Sequence, residues 1–229
     1  MFLRPILLGF SVFLVGAIGV PAASHALTTF TIDSSPSCCT VPAGTVKVSD
    51  AVAGQLSFTV TLNSALNDHF ANTGFPETFA FNLSKITSIT YSSVPSGWSP
   101  ISGIQSSSTL HMDGAGDFGF GLSWVGNGKN GGDNPGPSTL SFTISAVGLK
   151  LSSLVRNAKD YFFAIDILQS CIVGTDGKCK TNTTGIVGVK GDGVISENPV
   201  DPVPLPPALV LFGTALVGLT VLGRRRRRV

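Results

Sequence analysis

Charge and histidine are scarce in this chain. Charged residues make up 12% of its 229, and histidine is limited to His25, His69 and His111. Between Leu27 and Val203 nine basic residues face thirteen acidic ones, a net charge of −4 with no basic cluster. Phosphate backbones are bound by basic residues gathered on one face, so nucleic acid is excluded as a partner. The overall +2 is an effect of the last residues, Arg224, Arg225, Arg226, Arg227 and Arg228. No H-E-x-x-H, G-x-S-x-G or glycine-rich phosphate loop occurs. The sequence therefore predicts no catalytic residue, no cofactor and no metal centre, and His69 and His111 read as strand or loop residues.

What is abundant is alternation with a period of two. In QLSFTVTLN, Leu56, Phe58, Val60 and Leu62 alternate with polar residues, and in ETFAFNLS so do Phe79, Phe81 and Leu83. DFGFGLSWV and TLSFTISAV repeat the pattern. Alternation of this kind puts one strand face on a core and the other in water. KITSITYSS and TGIVGVK are weaker strands, and YFFAIDIL, nearly all apolar, reads as a central strand covered on both faces. DFGFGLSWV and TLSFTISAV, joined by the turn-rich run Gly126 to Ser138, predict a long-looped antiparallel hairpin. In LSSLVRNAKD, Leu151, Leu154, Val155 and Ala158 share a helical face behind Ser152 or Ser153 as a cap, which predicts one short helix closing an end of the fold. The expected class is all-β: an antiparallel β-sandwich or jelly-roll-like ectodomain over residues 27–195, plus a C-terminal transmembrane helix.

The two ends carry addresses. Residues 1–26 place Arg4 before an apolar stretch and finish on Ser24-His25-Ala26, the order of a secretory signal peptide cut after Ala26. Residues 196–202 form a proline-rich linker. Leu205 to Gly223 is a run of 19 uncharged residues. As a helix it would be about 28 Å long, close to the roughly 30 Å of a bilayer's hydrocarbon core. Arg224 to Arg228 behind it would stay in the cytoplasm, which puts the main domain on the far side of the inner membrane.

Proline motif, apolar run and terminal arginines, in that order over residues 203–229, resemble the sorting segment of the PEP-CTERM proteins. That family's tripeptide is Pro-Glu-Pro; here Val203, Pro204, Leu205 and Pro206 stand in its place, without the glutamate charge. The resemblance implies a substrate of an exosortase, a membrane-embedded cysteine protease of Gram-negative bacteria that make extracellular polysaccharide. Cleavage would then fall at or near Val203 to Pro206, after transient residence in the inner membrane. A fainter likeness to ectodomains of the same family runs from Asp117 to Val189 and implies no activity.

Four cysteines, Cys38, Cys39, Cys171 and Cys179, fall in the exported part, where disulfides are the default. Three pairings are open. A Cys171–Cys179 staple across a glycine-rich turn leaves Cys38 with its neighbour Cys39, whereas crossed pairings would tie the N-terminal segment to residues 171–179. Adjacent cysteines do not match zinc spacing. Asp113, Asp117, Asn127, Asn130, Asp133 and Asn134 supply oxygens of the kind calcium takes, but without an EF-hand or nonapeptide spacing, and they are also what turns require. Trp124 alternates with core residues and is expected inside, while Trp98, between Gly97 and Pro100, is expected at the surface. Asn82-Leu83-Ser84 and Asn182-Thr183-Thr184 read as ordinary strand and loop residues.

These observations predict an exported, non-enzymatic surface or extracellular-matrix protein with a structural or adhesive role. The alternatives are a calcium- or polysaccharide-binding module acting through the loops from Asp113 to Asn134, an ordinary single-pass anchored protein, and a secreted jelly-roll hydrolase using His69 or His111.

Overall fold

The computed structural model describes residues 26–50, 52–73, 77–102, 110–125, 135–172, 174–175 and 183–197. In chain order they form β1 (Ala26–Thr31), β2 (Gly44–Ser49), β3 (Gln55–Leu62), β4 (His69–Phe70), β5 (Phe79–Leu83), β6 (Thr90–Ser92), β7 (Trp98–Ser102) and β8 (Leu110–Met112). There follow β9 (Gly116–Phe118), β10 (Phe120–Trp124), β11 (Thr139–Ser145), β12 (Leu154–Val155), β13 (Phe163–Gln169), β14 (Thr183–Val189) and β15 (Val194–Glu197). Among the described residues all strand pairings are antiparallel. One sheet is ordered β15-β1-β2-β3-β11-β6; the other follows β14-β13-β5-β10-β7, with β12 on β5 and β4 on β13. The fold is thus all-β and sandwich-like.

Alternation explains how the sheets meet. Leu56, Phe58, Val60 and Leu62 of β3, and Leu140, Phe142 and Ile144 of β11, lie on one face and are buried. Phe58 and Phe142 are register partners whose rings stack with centroids 4.8 Å apart. From the opposite sheet Phe81 approaches Phe58 to 5.3 Å, with Phe79 and Phe163 at 6.5 and 6.4 Å. Phenylalanine from both sheets therefore fills one core, where aromatic pairs add about 0.5–1.5 kcal/mol each beyond area burial.

β13 is covered on both faces, as its composition requires. Phe163, Ile165 and Ile167 join the main core, while Ala164 packs with Leu110, Met112 and Phe118 of the β8–β9 ribbon in a second cluster. The ribbon is thus a third layer over part of the outer face.

Several expectations need correction. β10 and β11 are not a hairpin: β10 lies between β5 and β7, and β11 between β3 and β6 of the other sheet. The residues between them carry the chain from one sheet to the other, which alternation within each strand does not reveal. The expected helix is a single 3₁₀ turn, Leu151–Ser153, in which Ser153 Oγ accepts the Lys150 N–H at 3.3 Å. Leu154 and Val155 then pair with Leu83 and Asn82 as β12, and Ala158 is exposed. Pairing with the end of β5, at Asn82 and Leu83 beyond the pairs made by β10 and β13, outweighs the weak helical face. Trp98 is buried, not at the surface: it opens β7, an edge strand that tolerates Pro100. Trp124 is only partly buried, although its Nε1 is enclosed.

β15 extends to Glu197, and β1 begins at Ala26. Ala26 is the register partner of Glu197, and its N–H donates to Asp50 Oδ1 at 2.9 Å. The pairs Leu27 with Ser49, Ser49 with Ser57, Gln55 with Ser145 and Ser145 with Thr90 put one set of strand ends together. This terminal end thus holds Ala26, Glu197 and the connections at 50–55 and 145–150. The opposite, loop end holds Asp68, Trp98, Trp124, Pro137 and Gln169.

Candidate functional site

Polar side chains concentrate at the loop end. β13 finishes in Gln169, opposite the chain that enters β4 through Asp68. Gln169 Oε1 accepts the Thr40 N–H at 2.6 Å, and its Nε2 donates to Thr40 O at 3.0 Å and to Asp68 Oδ2 at 3.4 Å. Asp68 is buried and its Oδ1 has no partner. Burial pushes its carboxyl up to about 6, against the lowering effects of Gln169 and His69.

Asp166 is the one acid in the YFFAIDIL run. Its Oδ2 accepts the Thr73 N–H at 2.8 Å and the Thr73 hydroxyl at 2.7 Å, which fastens the segment after β4 to the sheet. Its Oδ1 is buried without a partner. Burial pushes this carboxyl, too, up to about 6; the Thr73 bonds pull it down and the charge of Asp113 adds to the rise. Glu77 is buried as well, and desolvation raises it.

Beside these acids stand the tryptophans. Trp98 meets Phe70 edge-on at 4.9 Å and lies 5.5 Å from Trp124. Asn72 Nδ2 donates to Trp124 O at 2.9 Å, and the Trp124 N–H donates to Thr78 Oγ1 at 2.9 Å. Both rings are thus held by structure, and neither stands out as an open stacking platform.

His69 and His111 are separated in role. His69 Nδ1 is 2.9 Å from Gly136 O, a brace for the chain entering β11. His111, on β8, is exposed: its Nδ1 is 2.7 Å from Asp117 Oδ1 and its Nε2 3.8 Å from Asp113 Oδ1. The two acids of the DGAGD turn therefore flank an imidazole. Among the described residues no group of three or more histidine, cysteine or acidic side chains is arranged to hold a metal ion. Asn127, Asn130, Asp133 and Asn134 lie outside the described residues. Asn82 Oδ1 accepts the Gly119 N–H at 2.7 Å, pinning the turn between β9 and β10; Asn182 lies outside.

Cys38 and Cys39 are disulfide-bonded to each other, which rules out crossed pairings between them and residues 171–179. Their segment winds on Ser35, whose Oγ accepts both cysteine N–H groups, and Ser37 Oγ accepts the Ile186 N–H at 3.0 Å. Cys171 is buried and also disulfide-bonded, and Cys179 lies outside the described residues. So do residues 1–25, Val203, Pro204, Leu205, Pro206 and Arg224 to Arg228. Among the described residues no helix is long and apolar enough to cross a membrane.

Sequence reasoning missed Asp68, Glu77, Asn72 and Gln169 altogether. Asp166 had a signal, a lone acid in an apolar strand, where a buried charge demands a partner.

Fold and site together define a class: an all-β, sandwich-like domain with enclosed carboxyls at the loop end. No family model, curated protein or solved structure matches the chain.

Proposed function

We propose that this is an exported protein, held for a time in the inner membrane by its tail and then cut at or near Val203 to Pro206 by an exosortase-type membrane protease. The observation that carries the reading is the order of that tail: proline motif, 19 uncharged residues from Leu205 to Gly223, then Arg224 to Arg228. An apolar run of this length suits a bilayer, and the arginines orient it. The Cys38–Cys39 disulfide fits the oxidising side of that membrane. Outside the cell the domain serves as a structural or adhesive component of a polysaccharide matrix, without catalysis. Peptide mass spectrometry of the mature protein from its native cells tests this: the expected chain starts at Leu27 and ends within Val203 to Pro206. A mature chain that retains Arg224 to Arg228 overturns the cleavage.

A further inference from the structure

Exposed apolar side chains occur at both ends of the domain, Val41, Val125 and Ile172 at the loop end and Val52 and Val147 at the terminal end, but only the terminal end also bears the link to the uncharged run. At the turn from β11 to the 3₁₀ helix, Leu149 N–H donates to Ala146 O at 3.2 Å, and Gly148 has φ +74°. Val147 stands at the corner with 99% of its surface exposed. The turn between β2 and β3 closes by Gln55 N–H to Val52 O at 3.0 Å, with Gly54 at φ +77°. Val52 is 54% exposed and Ala53 is exposed beside it. The two turns are tied to each other by Ala146 N–H donating to Gly54 O at 3.0 Å. Val52, Ala53 and Val147 are thus a fixed apolar crest beside an open cleft of about 930 Å³ that also includes Lys150 and Asp50, whose Oδ1 accepts the Ala26 N–H, and exposed Lys85 lines the adjoining cleft.

Both ends of the domain, Ala26 and Glu197, are at this same end. Seven residues, Asn198 to Pro204, separate Glu197 from the uncharged run. Fully extended they reach at most about 25 Å. A tether this short gives even a weak contact a high local concentration of its target, so two valines and an alanine suffice where they would not in free solution. Aliphatic side chains with lysines at their rim suit the boundary between acyl chains and anionic headgroups.

We propose that the crest of Val52, Ala53 and Val147 docks on the bilayer that holds the tail, with Lys85 and Lys150 against its headgroups. The docking rests on the tail reading above. The test uses the full chain in protein-free vesicles of phosphatidylcholine with about one-fifth phosphatidylglycerol, with and without bromine on the acyl chains. Val147→Trp places a reporter on the crest, while the native Trp98 and Trp124 lie at the loop end and serve as the internal reference. The expected result is about a twofold loss of the added emission in brominated vesicles, with the native emission unchanged. Adding Val52→Asp to Val147→Trp should reduce that loss. Flotation of the chain with vesicles is scored separately. If the chain floats but the added emission is unquenched, the docking is wrong and the tail reading stands; if the chain does not float, both fall.

Discussion

At the terminal end, β2 passes to β3 and β11 leaves its sheet through tight turns set by Gly54 and Gly148, and Val52, Ala53 and Val147 stand exposed beside Lys150. At the loop end Asp68, Glu77, Asn72, Asp166 and Gln169 are enclosed, while Val41, Val125 and Ile172 stand exposed. The first end spends little on polar burial and keeps its surface open. The second encloses carboxyl oxygens that lack partners, at a cost in desolvation. Both plans work because the same phenylalanine core lies between them.

The strongest way to break the comparison is to remove that shared core. Phe58→Ala deletes the ring that touches Phe79, Phe81, Phe142 and Phe163, and should destabilise the domain by about 3–5 kcal/mol in denaturant unfolding. Next comes a loop-end substitution. A Cβ at Gly136 would lie 2.7 Å from Phe70 O and 3.2 Å from the Trp124 ring, so Gly136→Ala should cost about 1–3 kcal/mol and alter tryptophan fluorescence.

Asp68→Asn should act in the opposite direction, and only at the loop end. Because burial raises the folded carboxyl to about 6, well above the ordinary aspartate range, the folded state holds the proton more tightly than the unfolded one. The stability this contributes is complete below about pH 4 and is lost as pH climbs through about 6. Asp68→Asn should flatten that part of the stability–pH profile and raise stability at pH 7 by on the order of 1 kcal/mol. The smallest effect belongs to the terminal end: Val147→Ser, at a side chain with 99% of its surface exposed, should change unfolding free energy by less than about 0.5 kcal/mol. A larger loss there would show that the crest is part of the folded core.

The contrast also explains what could be read in advance. β3 and β11 were legible because each buries alternate residues against a single core, and they proved to be neighbours in register from Thr139–Thr61 to Ser145–Gln55. Which sheet a strand joins was not legible. The segment after Trp124 is as compatible with a crossing between sheets as with a hairpin, since alternation reports a face and not a neighbour. β7 was hidden by Pro100, a residue confined to sheet edges. The enclosed acids escaped because burial of Asp68 depends on Gln169, a hundred residues away. Asp166 alone carried a signal, by contrast with its apolar neighbours, and the reading of its strand as apolar passed over it.

The pairing of β15 with β1 sets how the domain bears load. Tension on the tail enters at Glu197, the very tip of an edge strand whose partner begins there too, so the ladder hydrogen bonds are pulled open one after another instead of sharing the force. On the proposed reading, a tethered molecule dragged from outside the membrane would peel at Glu197 first, whereas the same molecule cut free of its tail would carry no tension across that seam.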